Sequence, residues 1–228
     1  MRSFYTLGLF CLLFAFACTK PAQKTTTATP QTARTTACPE YFYYYQQEKV
    51  PLKLKPAYLL AGFQPGLSQE AKTSILKTVP EFENLSTDQS GSAGTFNVVK
   101  LRNATSCDRV LQIIKQLQQK NELTFVNPVF DPVSNLGSGY LWVGLTSGFL
   151  VTLKSADQMP QLKALLTETR TELLDTLGET TFLIGATKNA KGNALEMANY
   201  FHEQPFVENA EPDFFLATKP EDSNLPSR

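Results

Sequence analysis

Apolar positions along this chain recur with two periods that alternate in order. Tyr58 to Phe63 is a short apolar run of strand type, and Pro65-Gly66 turns the chain. Ser68 stands where a helix is capped, with Ala71, Ile75 and Leu76 on one side. Residues 80–94 carry Pro80, Ser90-Gly91-Ser92 and Gly94, which reads as a loop with at most a frayed strand. Phe96 to Leu101 is a strand, Ser106 caps a helix with Val110, Leu111, Ile114 and Leu117 on one stripe, and Leu123 to Phe130 is a strand again.

The same order then repeats. Phe149 to Leu153 reads as a strand, and Asp157 caps a helix with Leu162, Leu165, Leu166 and Leu173 inward. Pro160 falls in its first turn, where a missing N–H costs little. Leu174 to Leu177 and Phe182 to Ala186 read as strands. Asn193 and Glu196 form a capping-box pair ahead of an apolar face of Leu195, Ala198 and Phe201. Gln204-Pro205 stops that helix, and a strand begins at Phe206-Val207. The sum is an α+β chain of two tandem ferredoxin-like β-α-β-β-α-β sandwiches, residues 41–135 and 136–216. Leu136-Gly137-Ser138-Gly139 marks the boundary, and Tyr140 to Val143 adds a strand beside it.

The N-terminus places the chain. Met1 to Ala17 has one early cation, Arg2, and an apolar run from Leu7, which is secretory-signal character over residues 1–17. Ala15-Phe16-Ala17-Cys18 resembles a bacterial lipobox, which implies lipidation at Cys18 and a lipid anchor in the cell envelope, at the outer membrane. Residues 18–40 are rich in Thr, Ala and Pro as far as Ala37, too poor in apolar groups to offset their ordering entropy, and read as a tether. Residues 217–228 read as a flexible tail.

Charge and chemistry exclude more than they assign. The formal net charge is zero, so nothing directs the chain to nucleic acid or to anionic lipid. With Cys11 in the signal and Cys18 at the lipobox, Cys38 and Cys107 remain for the folded part, where a disulfide and two free thiols both fit. The single histidine, His202, rules out a metal set and leaves no base for a serine triad. It reads as a surface residue near a helix C-terminus. No phosphate loop or metallopeptidase motif occurs. The expectation is a non-enzyme with no cofactor and no metal. Tyr41-Phe42-Tyr43-Tyr44-Tyr45 has no single buried face and reads as cover for the rim of a sheet.

Val207-Glu208-Asn209-Ala210-Glu211-Pro212-Asp213-Phe214, with the helix Asn193-Ala194-Leu195-Glu196-Met197-Ala198-Asn199-Tyr200-Phe201 before it, resembles the end of a subtilase prodomain of the fervidolysin type. The likeness spans residues 41–216 and is strongest in the second half. The aromatic run through Leu52 is similar to the opening of such prodomains, with Gln47 where the pattern has glycine for a hairpin turn. The resemblance implies a stand-alone prodomain that binds a subtilisin-like serine peptidase in trans, as inhibitor or folding chaperone. Glu208, Glu211, Pro212, Asp213 and Phe214 would then meet the enzyme, and the tail would run into its cleft. An envelope adhesion module and a remnant of a truncated peptidase gene are the other readings of the same residues.

Overall fold

The computed structural model describes residues 38–102 and 105–218. The signal segment, Cys18 with most of the expected tether, and residues 219–228 lie outside the described residues. The chain enters through a hairpin, β1 (Tyr41–Tyr45) and β2 (Glu48–Leu52). Its two turn residues, Gln46 and Gln47, have φ of 48° and 70°. Two left-handed central residues are what a tight hairpin twist requires. Glutamine accepts that backbone at about 1–2 kcal/mol each, so the rest of the hairpin must hold it there.

The next elements are β3 (Leu54–Phe63), α1 (Gln69–Leu76), β4 (Phe82–Leu85), β5 (Gln89–Gly91), β6 (Gly94–Leu101), α2 (Cys107–Gln118) and β7 (Leu123–Phe130). A short 3-10 turn at Ser134–Leu136 leads to β8 (Tyr140–Leu153), α3 (Met159–Thr169), β9 (Glu172–Thr176), β10 (Thr181–Gly185), α4 (Ala194–His202) and β11 (Val207–Thr218). Local chemistry explains the helix starts. The Ser68 and Ser106 hydroxyls accept from the N–H groups of Ala71 and Arg109. The Asn193 carbonyl accepts from Leu195 and Glu196, while Glu196 accepts from Asn193 N–H, completing the capping box.

All strand pairs are antiparallel, and the architecture is mixed α and β. Within the first half the strands lie in the order β7-β3-β6-β4, and within the second in the order β11-β8-β10-β9. The halves join where Val129 and Phe130 of β7 pair with Gly144 and Val143 of β8. All described residues fall in one compact unit. One core cluster holds the buried residues of all four helices, from Leu76 through Ile113 and Leu162 to Phe201, against one face of the sheet. The opposite face carries Leu60, Phe96, Phe125, Val129, Trp142 and Ala217 and, among the described residues, no helix. Each fully buried Leu or Phe in these clusters contributes about 1.5–3 kcal/mol.

Several expectations change. Tyr140–Val143 and Phe149–Leu153 are the ends of one strand of 14 residues. Thr146, Ser147 and Gly148 between them stand opposite Asp213 alone where the β11 register shifts, kept extended by contacts to Asn127, Asp213, Ala186 and Gly185. Residues 80–94 hold two short strands, β4 and β5, rather than a loop. The residue that turns α2 inward at mid-helix is Ile113, while Leu111 and Ile114 are half-buried. Leu173 lies on β9 and is 40% exposed, since α3 ends at Thr169. Ser155, not Asp157, starts the turn leading into α3, with Gln158 closing a capping box. β11 continues to Thr218, two residues beyond the expected end of the second unit at residue 216.

Lys72 of α1 is buried, a position no periodicity argument assigns to a cation. Its ammonium meets the Asp88 carboxylate and lies 3.5 Å from Asn97 Oδ1, and Asn97 Nδ2 donates to Asp88 at 2.8 Å. Lys72 and Asn97 together hold the Asp88 carboxyl below its usual range.

Cys38 and Cys107 form a disulfide across 69 residues, with Cα atoms 5.7 Å apart. It fixes the segment before β1 to the first residue of α2. Closing a loop of that length lowers the unfolded chain's entropy by an amount worth about 4 kcal/mol. Cys107→Ser is expected to lower unfolding free energy by about 2–4 kcal/mol. Urea titration with and without reductant checks this: reductant should weaken the parent by the same amount and leave the variant unchanged.

Candidate functional site

The motif residues lie on β11, so its surroundings decide which of them are free. Ala210, Pro212 and Phe214 pair with Val151, Phe149 and Leu145, which face the helices. Pro212 is buried, and Phe214 packs edge-on against Tyr43 with ring centroids 5.2 Å apart. Proline is tolerated because β11 has β8 as its one ladder partner and the register shifts just beyond it. Glu208 is exposed, and its carbonyl accepts from Gln47 Nε2 at 3.0 Å. Glu211 is half-buried opposite Leu150 and accepts from Asn209 Nδ2 at 2.8 Å.

Asp213 is committed to the fold. Thr146 Oγ1 lies 2.7 Å from its carbonyl oxygen and 3.1 Å from its carboxylate. Burial raises the carboxyl above its usual range, and hydrogen bonds from Thr146 and Ser92 partly offset this. Ser92 belongs to the turn between β5 and β6, which reaches across the helix-free face to the second half. At Gly148 a Cβ would come within 2.6 Å of the Ala93 Cβ, so only glycine lets that turn settle. Beside it, Phe96 and Phe215 meet edge to face at 5.1 Å, and Tyr58 stacks on Trp142 at 5.6 Å.

The aromatic hairpin closes the other side of β11. Tyr43 is 1% exposed and takes a hydrogen bond from Asn135. Tyr44 donates to Glu203 and lies flat on the His202 ring, centroids 4.1 Å apart. Lys49 sits 4.3 Å from the centre of the Phe42 ring. His202 closes α4 as expected, half-buried rather than free on the surface. Its Nδ1 accepts from Ala210 N–H at 3.4 Å, and its Nε2 lies 3.2 Å from Gln47 Oε1. A neutral ring with its proton on Nε2 serves both contacts. Burial lowers its affinity for a second proton, and Asn209, Glu203 and Glu211 only partly restore it. Sequence reasoning missed this arrangement because its partners lie about 160 residues away in the chain.

A groove of about 450 Å³ lies between α2, β7 and the loop before α4, lined by Tyr41, Ile114, Asn127, Lys188 and Glu196 among others. Several of its polar groups are used internally. Lys188 donates to the Lys120 carbonyl, Asn127 to that of Thr146, and Glu196 caps α4. Among the described residues no cluster of three or more His, Cys, Asp or Glu is placed to hold a metal ion. Around β11 the described residues present a fixed strand, a sheet face without helices and the exposed Glu208. No protein-family model matches the chain, and no curated protein is significantly similar to it.

The His202 contacts set a pH dependence. Its pKa in the folded state lies below the usual 6.5. The unfolded chain therefore takes up the proton first as pH falls, and the stability present above that value is lost below it. Asp213 works in the opposite sense, because its raised carboxyl favours the folded state as pH falls. His202→Gln isolates the histidine: thermal unfolding from pH 7.5 to 5 is expected to weaken the parent more steeply than the variant.

Proposed function

We propose that the chain is a non-catalytic, lipid-anchored protein of the bacterial envelope that binds a subtilisin-like serine peptidase in trans, as inhibitor or folding chaperone. Its two β-α-β-β-α-β units are tandem ferredoxin-like sandwiches of the kind found in subtilase prodomains. The observation that carries this reading is β11, where the Val207–Phe214 motif occupies the last described strand and pairs with β8 from Leu153 back to Leu145, with register shifts after Val207 and Pro212. Three further features support it. In each half the last strand lies beside the first, and the third separates the first from the second, which is ferredoxin-like order. The helices gather on one face, and the other is closed by strand side chains and the β5–β6 turn except near Leu150, which stays exposed. Glu208 and Glu211 keep exposed or half-exposed carboxylates that suit helix N-termini on an enzyme.

The inhibitory part is the chain after β11, entering the peptidase cleft as an extended, product-like segment. Ala217 is buried and Thr218 pairs with Tyr140, so the test deletes residues 219–228 and leaves the strand whole. The truncated protein is expected to keep its unfolding transition and measurable binding, and to lose about a hundredfold in inhibition of a subtilase from the same organism. An intact protein that neither binds nor inhibits such enzymes at micromolar concentration would falsify the proposal.

Anchoring rests on Cys18. Acyl chains contribute about 0.8 kcal/mol per buried CH₂, and two or more hold a protein stably at a membrane. Cys18→Ala is expected to move the protein from the membrane fraction to the soluble one. Equal retention of variant and parent would remove the anchor from the proposal.

A further inference from the structure

We infer that the outer edge of β9 is a strand-acceptor surface for an extended, basic segment of another protein. This surface is separate from β11 and its use does not depend on the peptidase reading. β9 ends the sheet order, with β10 as its one strand partner among the described residues. Residues 172–179 are all exposed, an unbroken run that includes Leu173 at 40%, Leu174 at 44% and Leu177 at 55%. Leu174 sits in a bulge between Leu173 and Asp175 and lies over Gly185, and with Leu173 and Leu177 it leaves apolar surface open along β9. A free edge flanked by leucines is a template for main-chain pairing.

Charge selects the occupant. Glu172, Asp175 and Glu179 join none of the ion pairs among the described residues, and no Lys or Arg occurs from Thr171 to Thr187. Asp175 accepts from Thr176 N–H and remains exposed. The sheet's opposite edge differs. There Glu81 holds Arg109 in a two-bond fork at 2.6 and 2.8 Å, and Glu83 holds Lys100, so β4 arrives already neutralised. A second copy of this chain pairing β9 with β9 would crowd four carboxylates from Glu172 and Asp175. A strand alternating apolar with Lys or Arg would neutralise them and cover the leucines at once.

The test uses the full-length protein in mild detergent and a short fluorescent peptide of alternating valine and lysine as probe, read by anisotropy. Binding in the micromolar range is expected. N-methylation of alternate peptide amides should abolish it, because main-chain pairing is lost. Glu172→Lys with Asp175→Lys should weaken it about tenfold or more, and a valine–glutamate peptide should not bind. Deleting residues 219–228 should leave it unchanged, which separates this surface from the peptidase reading. Equal binding of the N-methylated peptide, or survival of binding after charge reversal, would overturn the inference. So would no binding at millimolar peptide, or a sedimenting dimer that Leu177→Ser dissociates, which would put a second copy on this edge.

Discussion

The pairing of β8 with β11 is the constraint on which the rest depends. β8 pairs with β11 on one edge from Tyr140 to Leu145 and from Phe149 to Leu153, and divides the other between β7 at Val143-Gly144 and β10 from Gly148 to Thr152. Break that strand in the middle and the two halves lose their common sheet. The centre of β8 is polar: Thr146 and Ser147 are buried there, the Thr146 carbonyl accepts from Asn127 of β7, and its hydroxyl reaches Asp213 of β11. Buried polar groups are tolerated when each has a partner. Here the partners come from both neighbouring strands, so the polar centre fixes register where leucine and valine alone would permit slippage.

The same strand that carries the motif is therefore also a structural member, and its residues divide between the two tasks. Pro212 and Phe214 face the helix-side core, Asp213 ties down the turn between β5 and β6, and the carbonyl of Glu208 receives Gln47. Substituting the motif wholesale would test folding before it tested recognition. The carboxylates of Glu208 and Glu211 are the parts that can be altered with the least effect on packing.

Legibility from the sequence followed the range of the interactions. Ser68, Ser106 and the Asn193–Glu196 box could be read because a cap acts within one helical turn, and the alternation of elements could be read because periodicity is local. The length of β8 could not, because Thr146-Ser147-Gly148 has the composition of a turn and stays extended through Asn127 of β7, Asp213 of β11 and the end of β10. Burial of Lys72 could not, because Asp88 and Asn97 reach it from other elements. At the candidate site the motif itself was visible, whereas the His202–Tyr44 stack and the Ser92 contact to Asp213 join residues far apart in the chain.

Two units with one strand order have been finished differently, and the difference points to where a partner belongs. The first covers its helix-free face with its own aromatic residues and the β5–β6 turn, which leave Phe96 1% exposed and Phe125 5%. In the second the cover is partial: the same turn reaches Gly148 and Asp213, while Leu150 beyond it stays exposed. Every large apolar residue that the described chain leaves exposed, Leu141, Leu150, Leu173, Leu174, Leu177 and Tyr200, follows the junction at residues 136–139. Scattered exposed leucines need no explanation, but a set confined to one unit of a repeated architecture does. Folding gains nothing from leaving them in water, since the first unit shows that the same topology can be closed. The asymmetry is what a chain would carry if its first unit supplied stability and its second supplied the surfaces for other proteins.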